Sequence, residues 1–510
     1  MTDLVRSTSS FAAFKEAYFN PQALAMLFLG FAAGVPILLI FSSLGLWLRE
    51  AGIDRSTVTM FSWAALGYSF KFIWSPLVDV LPVPVLNKWL GQRRAWLLLT
   101  QMGIIGAIVL MASVDPAQSR LSIMALGAVL LGFSAATQDI VIDAYRIESA
   151  PSQMQTALSA TYVGGYRIGM IVSGAGALYL ADFFGSSEAA YSYAAWQKTY
   201  LIMAAVMLIA VATTLFIREP KYAVKKEHMN STSDNLRLLV VFALSVIGFI
   251  FTYVQVGGVL PETDSVGLGF LYGVVRFISS GIVMGVIGYA LVEIGLVAKS
   301  VATRAWVMPI RDFFERYGKK ALLVLALIGL YRISDIVAGN ISNIFYQDLG
   351  FTKTQIANAV KVVGVIAAIG GGFVGGWIAQ KTGVMRAMMI GALLACATNL
   401  LFILLFYTPT SFMMYMAVIT DNLAAGLASA VFIAFLSALT SIRFTAVQYA
   451  LFSSLMTLSP KILGGYSGAI VDATNYPVFF AITFVIGIPI LLLVYLVNKH
   501  ITIEEPVIKK

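Results

Sequence analysis

The sequence predicts an all-α polytopic membrane protein of about fourteen transmembrane helices. Three observations predict it. Of 510 residues, 59% are hydrophobic and 12% charged, where a soluble domain carries about 25% charged residues. Apolar runs of about 20 residues recur along the whole chain, each long enough to cross a bilayer of ~30 Å. Lysine and arginine also alternate between connections in the way that a fixed orientation requires. A β-barrel would instead show short segments of alternating polarity.

Six spans are expected at 22–48, 57–80, 95–113, 121–145, 156–182 and 196–217. Two glycines and a proline in "GFAAGVP", residues 30–36, are expected to break the first of them and expose backbone groups to a cavity. A polar linker, "REPKYAVKKEHMNSTSDN", follows. Two inserted spans come at 236–260 and 267–298, then "VMPIRDFFERYGKK", which reads as an amphipathic helix on the membrane surface. Six last spans fall at 321–347, 354–380, 385–407, 411–437, 445–470 and 476–497. The domains are therefore a six-helix half at 1–217, a linker with two extra helices at 218–320, and a second half with a tail at 321–510. The first 20 residues lack the apolar core of a signal peptide.

With the N-terminus inside, 23 of the 34 lysines and arginines fall in cytoplasmic segments and five in external loops. That asymmetry puts both termini in the cytoplasm and accounts for the net charge of +9 without nucleic acid. The single cysteine, Cys396, cannot form an internal disulfide. Two histidines, His228 and His500, are too few for a histidine metal site or triad, and no Walker A or HExxH sequence occurs. The expectation is a transporter, not an enzyme, with no cofactor and no metal, acting as a monomer.

Polar residues inside spans are few, and such groups face a bundle interior or a watery cavity. Asp139 and Asp143 lie four apart in "ATQDIVIDAY", on one helical face. Adjacent buried carboxylates suit a proton carrier. Asp143 reads equally as a partner for Arg146, three residues on. Lys71 and Arg167 suit either neutralising an aspartate or holding an anion. Arg332 and Asp335 share a face in "YRISD" and read either as an internal salt bridge or as coupling groups. Lys361 has no local partner and reads as a ligand group. Tyr145, Tyr166 and Tyr331 have rings able to stack on sugars. "SPLVD" with "GQRR", and "GGWIAQKTGVMR" in the second half, each resemble the major facilitator loop after helix two. They make Asp79, Arg93, Arg94 and Lys381 gating candidates. Ser75 and Gln380 depart from that pattern.

Taken in order, "GFAAGVP", "YSFKFIWSPLVD", "GQRRAWLL", "ATQDIVIDAYRIE", "GYRIGMIVSG", "LYRISD", "DNLAAGLASAVFIAFLSAL" and "TAVQYALFSSL" resemble the AmpG-type muropeptide permeases of the major facilitator superfamily, over nearly the whole chain. The resemblance implies two six-helix halves working by alternating access in a bacterial inner membrane. It implies proton-driven import of anhydro-muropeptides (GlcNAc–anhydro-MurNAc with or without stem peptide) that feeds peptidoglycan recycling and β-lactamase induction. It implies substrate contacts from Gly34, Lys71, Gln138, Tyr166, Arg167, Lys361, Asn422 and Gln448, and proton coupling through Asp139, Asp143 and Asp335. Asp421 departs from the glutamate of some relatives, and "LPVPVLNKW" lengthens the second loop. Rival readings are a carrier of another bulky anion, such as an acyl-coenzyme A or a siderophore, and a membrane enzyme on lipid-linked sugars.

The charge asymmetry makes a direct prediction. Alkaline phosphatase fused after Arg55 or Arg120 is active in cells, and fused after Arg94 or Lys510 is inactive. An active fusion at Lys510 reverses the assigned orientation.

Overall fold

The computed structural model describes residues 18–53, 57–58, 61, 67–118, 121–187, 190–220, 232–261, 266–351, 353–464 and 467–501. The longer helices are α1 (Pro21–Leu38), α2 (Gln92–Ala112), α3 (Leu121–Ser149), α4 (Ser152–Ile171), α5 (Tyr193–Val206) and α6 (Leu208–Phe216) in the first half. Helices α7 (Thr232–Val259), α8 (Val266–Glu293) and α9 (Met308–Tyr317) follow. The second half holds α10 (Ala321–Leu330), α11 (Ile333–Asp348), α12 (Gly364–Thr382), α13 (Val384–Ala397), α14 (Asn399–Tyr407), α15 (Ser411–Leu439), α16 (Thr445–Gly464) and α17 (Tyr476–His500). Eleven helical stretches among the described residues are long and apolar enough to cross a membrane. Contacts divide the chain into one unit of 1–75, 82–223 and 317–510 and another of 76–81 and 224–316.

Helix starts follow local chemistry. Asn20 accepts from the Ala23 N–H at 2.8 Å with Pro21 in the first turn, and Asn475 accepts from Val478 at 3.0 Å ahead of Pro477. Both satisfy amides that a helix start leaves orphaned. The two copies of the second-to-third loop share one device. Gly91, before α2, has φ 84°, and Gly383, before α13, has φ 89°. A side chain resists that left-handed conformation, so the chain turns sharply there only with glycine.

The expected break at "GFAAGVP" does not occur. The α-helix runs through Pro36 to Leu38 and then widens into a π turn, Leu39–Ser43, before continuing as Leu44–Glu50. Proline removes one helical donor, and the π turn a few residues later absorbs the misfit. Its glycines serve packing instead. A Cβ on Gly30 or Gly34 would lie 2.1 Å from the carbonyl oxygen of Tyr162 or Tyr166 on α4. Gly371 on α12 meets the Leu423 oxygen of α15 in the same way, at 2.0 Å. In both places backbone approaches backbone, the arrangement that small residues allow in membranes.

Each half has its own core. Trp47, Trp196 and Tyr200 pack in the first, with the two tryptophan rings stacked 5.7 Å apart. Phe345, Phe402 and Phe480 pack in the second. The halves meet where α4 packs on α12 and α15, and α16 on α3. Tyr18 donates to the Phe373 carbonyl at 2.9 Å across this seam. In the other unit α7 and α8 pair with each other. Most of their apolar side chains are exposed, among them Ile247, Phe251, Ile278 and Ile282. In α9, Arg311–Glu315 and Arg316–Asp312 bridge successive turns on the polar face, and Phe313 is buried on the other.

Gly34→Ala is expected to destabilise the protein by about 1–3 kcal/mol through forced separation of α1 and α4. Gly106→Ala, where a Cβ meets nothing within 4 Å, is expected to be neutral or stabilising by about 0.5–1 kcal/mol. Thermal unfolding in detergent compares the two.

Candidate functional site

Buried charge gathers around α3. The second span is interrupted at Lys71–Ile73 by a 3₁₀ turn, which aims the Lys71 ammonium at α3. Its Nζ lies 3.6 Å from Asp143 Oδ2 and 4.0 Å from Asp139 Oδ2. Lys71, Asp139 and Asp143 are each less than a tenth exposed. One cation thus holds both carboxylates, and Asp143 gains a second, Arg146 Nη2 at 3.3 Å. The unbound Asp139 Oδ1 is buried with no hydrogen bond among the described residues, and so is the Tyr68 hydroxyl. Tyr68, Tyr162 and Tyr166 are all within electrostatic reach of Asp139.

Arg146 is fully buried and spans the seam. It donates to Ser159 Oγ at 2.9 Å and to Ser437 Oγ of the second half at 2.7 Å, and lies 5.1 Å from the Tyr449 ring. Two residues further along α3, Glu148 takes a two-pronged bond from Arg93, with contacts of 2.9 and 2.6 Å. Thr445 of the second half donates to Glu148 and accepts from Arg93 at 3.0 Å. Arg93, Glu148, Ser437, Thr445 and Tyr18 all lie at the same end of the bundle, as the alternation of spans dictates. That end is latched by charge-assisted bonds, the strong class.

Arg94 ties elsewhere, to the carbonyls of Thr214 and Leu215 at 3.0 and 2.8 Å. Glu219 accepts from the Arg93 and Arg94 amides at 2.8 and 3.1 Å. Burial pushes the Glu219 carboxyl up, and those two N–H groups pull it back. Asp79 is buried in the short helix Ser75–Val80. Lys381 is exposed and sits 4.2 Å over the Trp377 ring.

In the second half, Arg332 is bound twice to Asp335 and also donates to Ser429. Asp421 accepts from Thr398 at 2.9 Å. Arg167, half-buried on α4, is close enough to Arg332 for the two charges to repel. It has no hydrogen bond or ion pair among the described residues. Tyr166, beside it, and Asn422, which donates to the Val418 carbonyl at 2.9 Å, are also half-buried.

Several expected contact residues make hydrogen bonds within the protein. Gln138 is fully buried and donates to the Ala32 carbonyl at 3.2 Å. Tyr145 donates to the Arg218 carbonyl, and Tyr331 to that of Met388 while stacked on Phe432. Gln448 accepts from the Ser441 amide at 2.8 Å, and Gly34 is the helix contact described above. The Lys361 side chain lies outside the described residues. Glu148, Thr445, Ser437 and Glu219 were assigned no role from sequence. Glu148, five residues beyond Asp143 in a charged helix end, carried the only signal available.

The Major Facilitator Superfamily model matches residues 22–331. The chain belongs to the major facilitator superfamily. Among its relatives is a putative transporter, AmpG 4, of Rickettsia felis, 31% identical over 93% of this chain and 96% of that one. The anhydromuropeptide permease of Escherichia coli K12 is 30% identical over 93% and 79%. These place it in the AmpG group, as the sequence resemblance anticipated. The fold matches that of the proton:xylose symporter XylE, bound to a bromo-deoxyglucose, with TM-score 0.59, 12% identity and coverage of 94% and 96%. It also matches FucP in the outward conformation, TM-score 0.57 and 12% identity over 94% and 99%. This major facilitator is a multi-pass membrane transporter and not an enzyme.

Lys71→Ala leaves the buried Asp139 carboxylate with no cation among the described residues, while Asp143 keeps Arg146, and is expected to cost about 3–5 kcal/mol. Lys71→Ala combined with Asp139→Asn is expected to recover part of that loss, because no unpaired buried carboxylate then remains. Thermal unfolding of the purified variants checks the non-additivity.

Proposed function

We propose that the protein imports anhydro-muropeptides across the bacterial inner membrane, driven by the proton gradient. Support comes first from the full-length likeness to an anhydromuropeptide permease. The observation that carries the reading is Arg167, a half-buried cation with no hydrogen bond or ion pair among the described residues, near Tyr166 and Arg332. Muropeptides bear lactyl or peptide carboxylates, and arginine recognises a carboxylate through paired N–H donors. Tyr166 and Asn422 supply hydrogen-bonding groups for sugar hydroxyls and amides.

The two halves, 1–217 and 321–510, rock about this site, and 218–320 is an accessory segment. With both termini in the cytoplasm, the latch of Arg93, Glu148 and Thr445 closes the cytoplasmic end, so the site loads from outside. Asp139 is the proton carrier. Its free oxygen is already without a donor, and neutralising it removes one of the two charges that hold Lys71. Asp143 is shared between Lys71 and Arg146 and so links that event to the seam. Arg332 with Asp335, and Asp421, form a second acid–base set in the other half.

Proteoliposomes loaded at high pH and given labelled GlcNAc–anhydro-MurNAc test the scheme. Wild type accumulates the label under an inward proton gradient. Asp139→Asn loses accumulation but keeps counterflow exchange, and Arg167→Ala loses both, by roughly tenfold or more, the scale of a buried charge-assisted contact. Accumulation indifferent to the gradient refutes coupling. Competition by an acyl-coenzyme A or a siderophore in place of muropeptide moves the substrate to another bulky anion.

A further inference from the structure

A cavity lies apart from Lys71, Asp139 and Asp143, none of which lines it. Its volume is ≈ 990 Å³, at the upper end of the ~300–1,000 Å³ that ligand pockets occupy. The start of α1, the α3–α4 turn and the end of α6 enclose it. Its apolar wall is open to the surroundings. Leu24, Phe28, Ile209 and Phe216 line it and are all exposed, Phe216 at 89%. In a membrane transporter those side chains face acyl chains, and a cavity among them is filled by something apolar.

The mouth of the cavity is polar, and the two charged groups that line it are Arg218 and Glu219. Arg218 lines it, is exposed, and its side chain has no partner among the described residues. Its position is fixed from behind, because Tyr145 donates to its carbonyl at 2.9 Å. Glu219, the one acid in the lining, is already engaged by the Arg93 and Arg94 amides. An ammonium headgroup would find no free acid there, whereas a phosphate finds a free guanidinium. The sequence that follows is itself basic, with Lys221, Lys225 and Lys226 within eight residues of Arg218. A basic run directly after a membrane span attracts anionic lipid.

We propose that this cavity is a binding site for an anionic phospholipid, with an acyl chain along Leu24, Phe28 and Ile209 and the phosphate on Arg218. The site adjoins the latch. Tyr145 and Glu148 belong to one helix, and Glu219 holds the amide of the same Arg93 that grips Glu148 and Thr445. A lipid in the cavity braces the segment on which the latched arrangement hangs.

The test uses the full chain in detergent, titrated with phosphatidylglycerol or phosphatidylcholine of identical acyl chains, with bound lipid counted by native mass spectrometry. The expected result is preferential binding of phosphatidylglycerol, with a matching rise in melting temperature. Arg218→Ala weakens that binding about fivefold, the weight of one membrane-surface cation, leaves phosphatidylcholine unchanged, and loses the melting shift. Arg218→Lys restores both. Met154→Trp, which fills the cavity, removes the preference while size-exclusion and circular dichroism report an intact fold. Equal binding of the two lipids, indifference to Arg218→Ala, or a second copy of the chain bound in place of lipid overturns the proposal.

Discussion

The interior of this protein is organised by the need to compensate two carboxylates on one apolar helix. An ionised group in a low-dielectric interior costs several kcal/mol unless a partner and hydrogen bonds repay it. Asp139 and Asp143 share Lys71, and Lys71 reaches them because the second span tightens into a 3₁₀ turn at that residue. Asp143 then recruits Arg146, whose remaining donors need acceptors, and two serines supply them, one from each half. The chain of obligations thus runs from one helix face to the seam between halves.

Much of this was legible in the sequence, and the reason is that helical spacing is a strong constraint. The recurrent apolar runs gave the fold class, and the i, i+4 aspartates and the i, i+3 pair Arg332–Asp335 were found on common faces. Lys71 was left open between a counter-ion and an anion site, and its ammonium lies within 4.0 Å of both carboxylates.

Other positions were not legible, for one physical reason. A helix's own periodicity says which residues share a face, but neighbours decide what that face meets. Gln138 and Asp139 are adjacent, yet one is spent on a carbonyl of α1 and the other keeps a free oxygen. Tyr145 and Tyr331 look like sugar platforms in sequence and are hydrogen-bonded struts in space. Glu148 and Thr445, 297 residues apart, are hydrogen-bonded across the seam. No local pattern connects them.

The π turns carry a further meaning. Leu39–Ser43 in the first span and Val172–Gly176 beyond α4 pack against each other, and the Ser43 hydroxyl donates to the Ser173 carbonyl at 2.7 Å. A π turn is in effect one residue too many in a helix. Two of them abreast keep neighbouring helices in step, since a lone surplus residue would rotate every side chain beyond it by about 100° relative to its neighbour. The two surplus residues are therefore a matched pair. Deleting one alone puts its helix out of phase with the other.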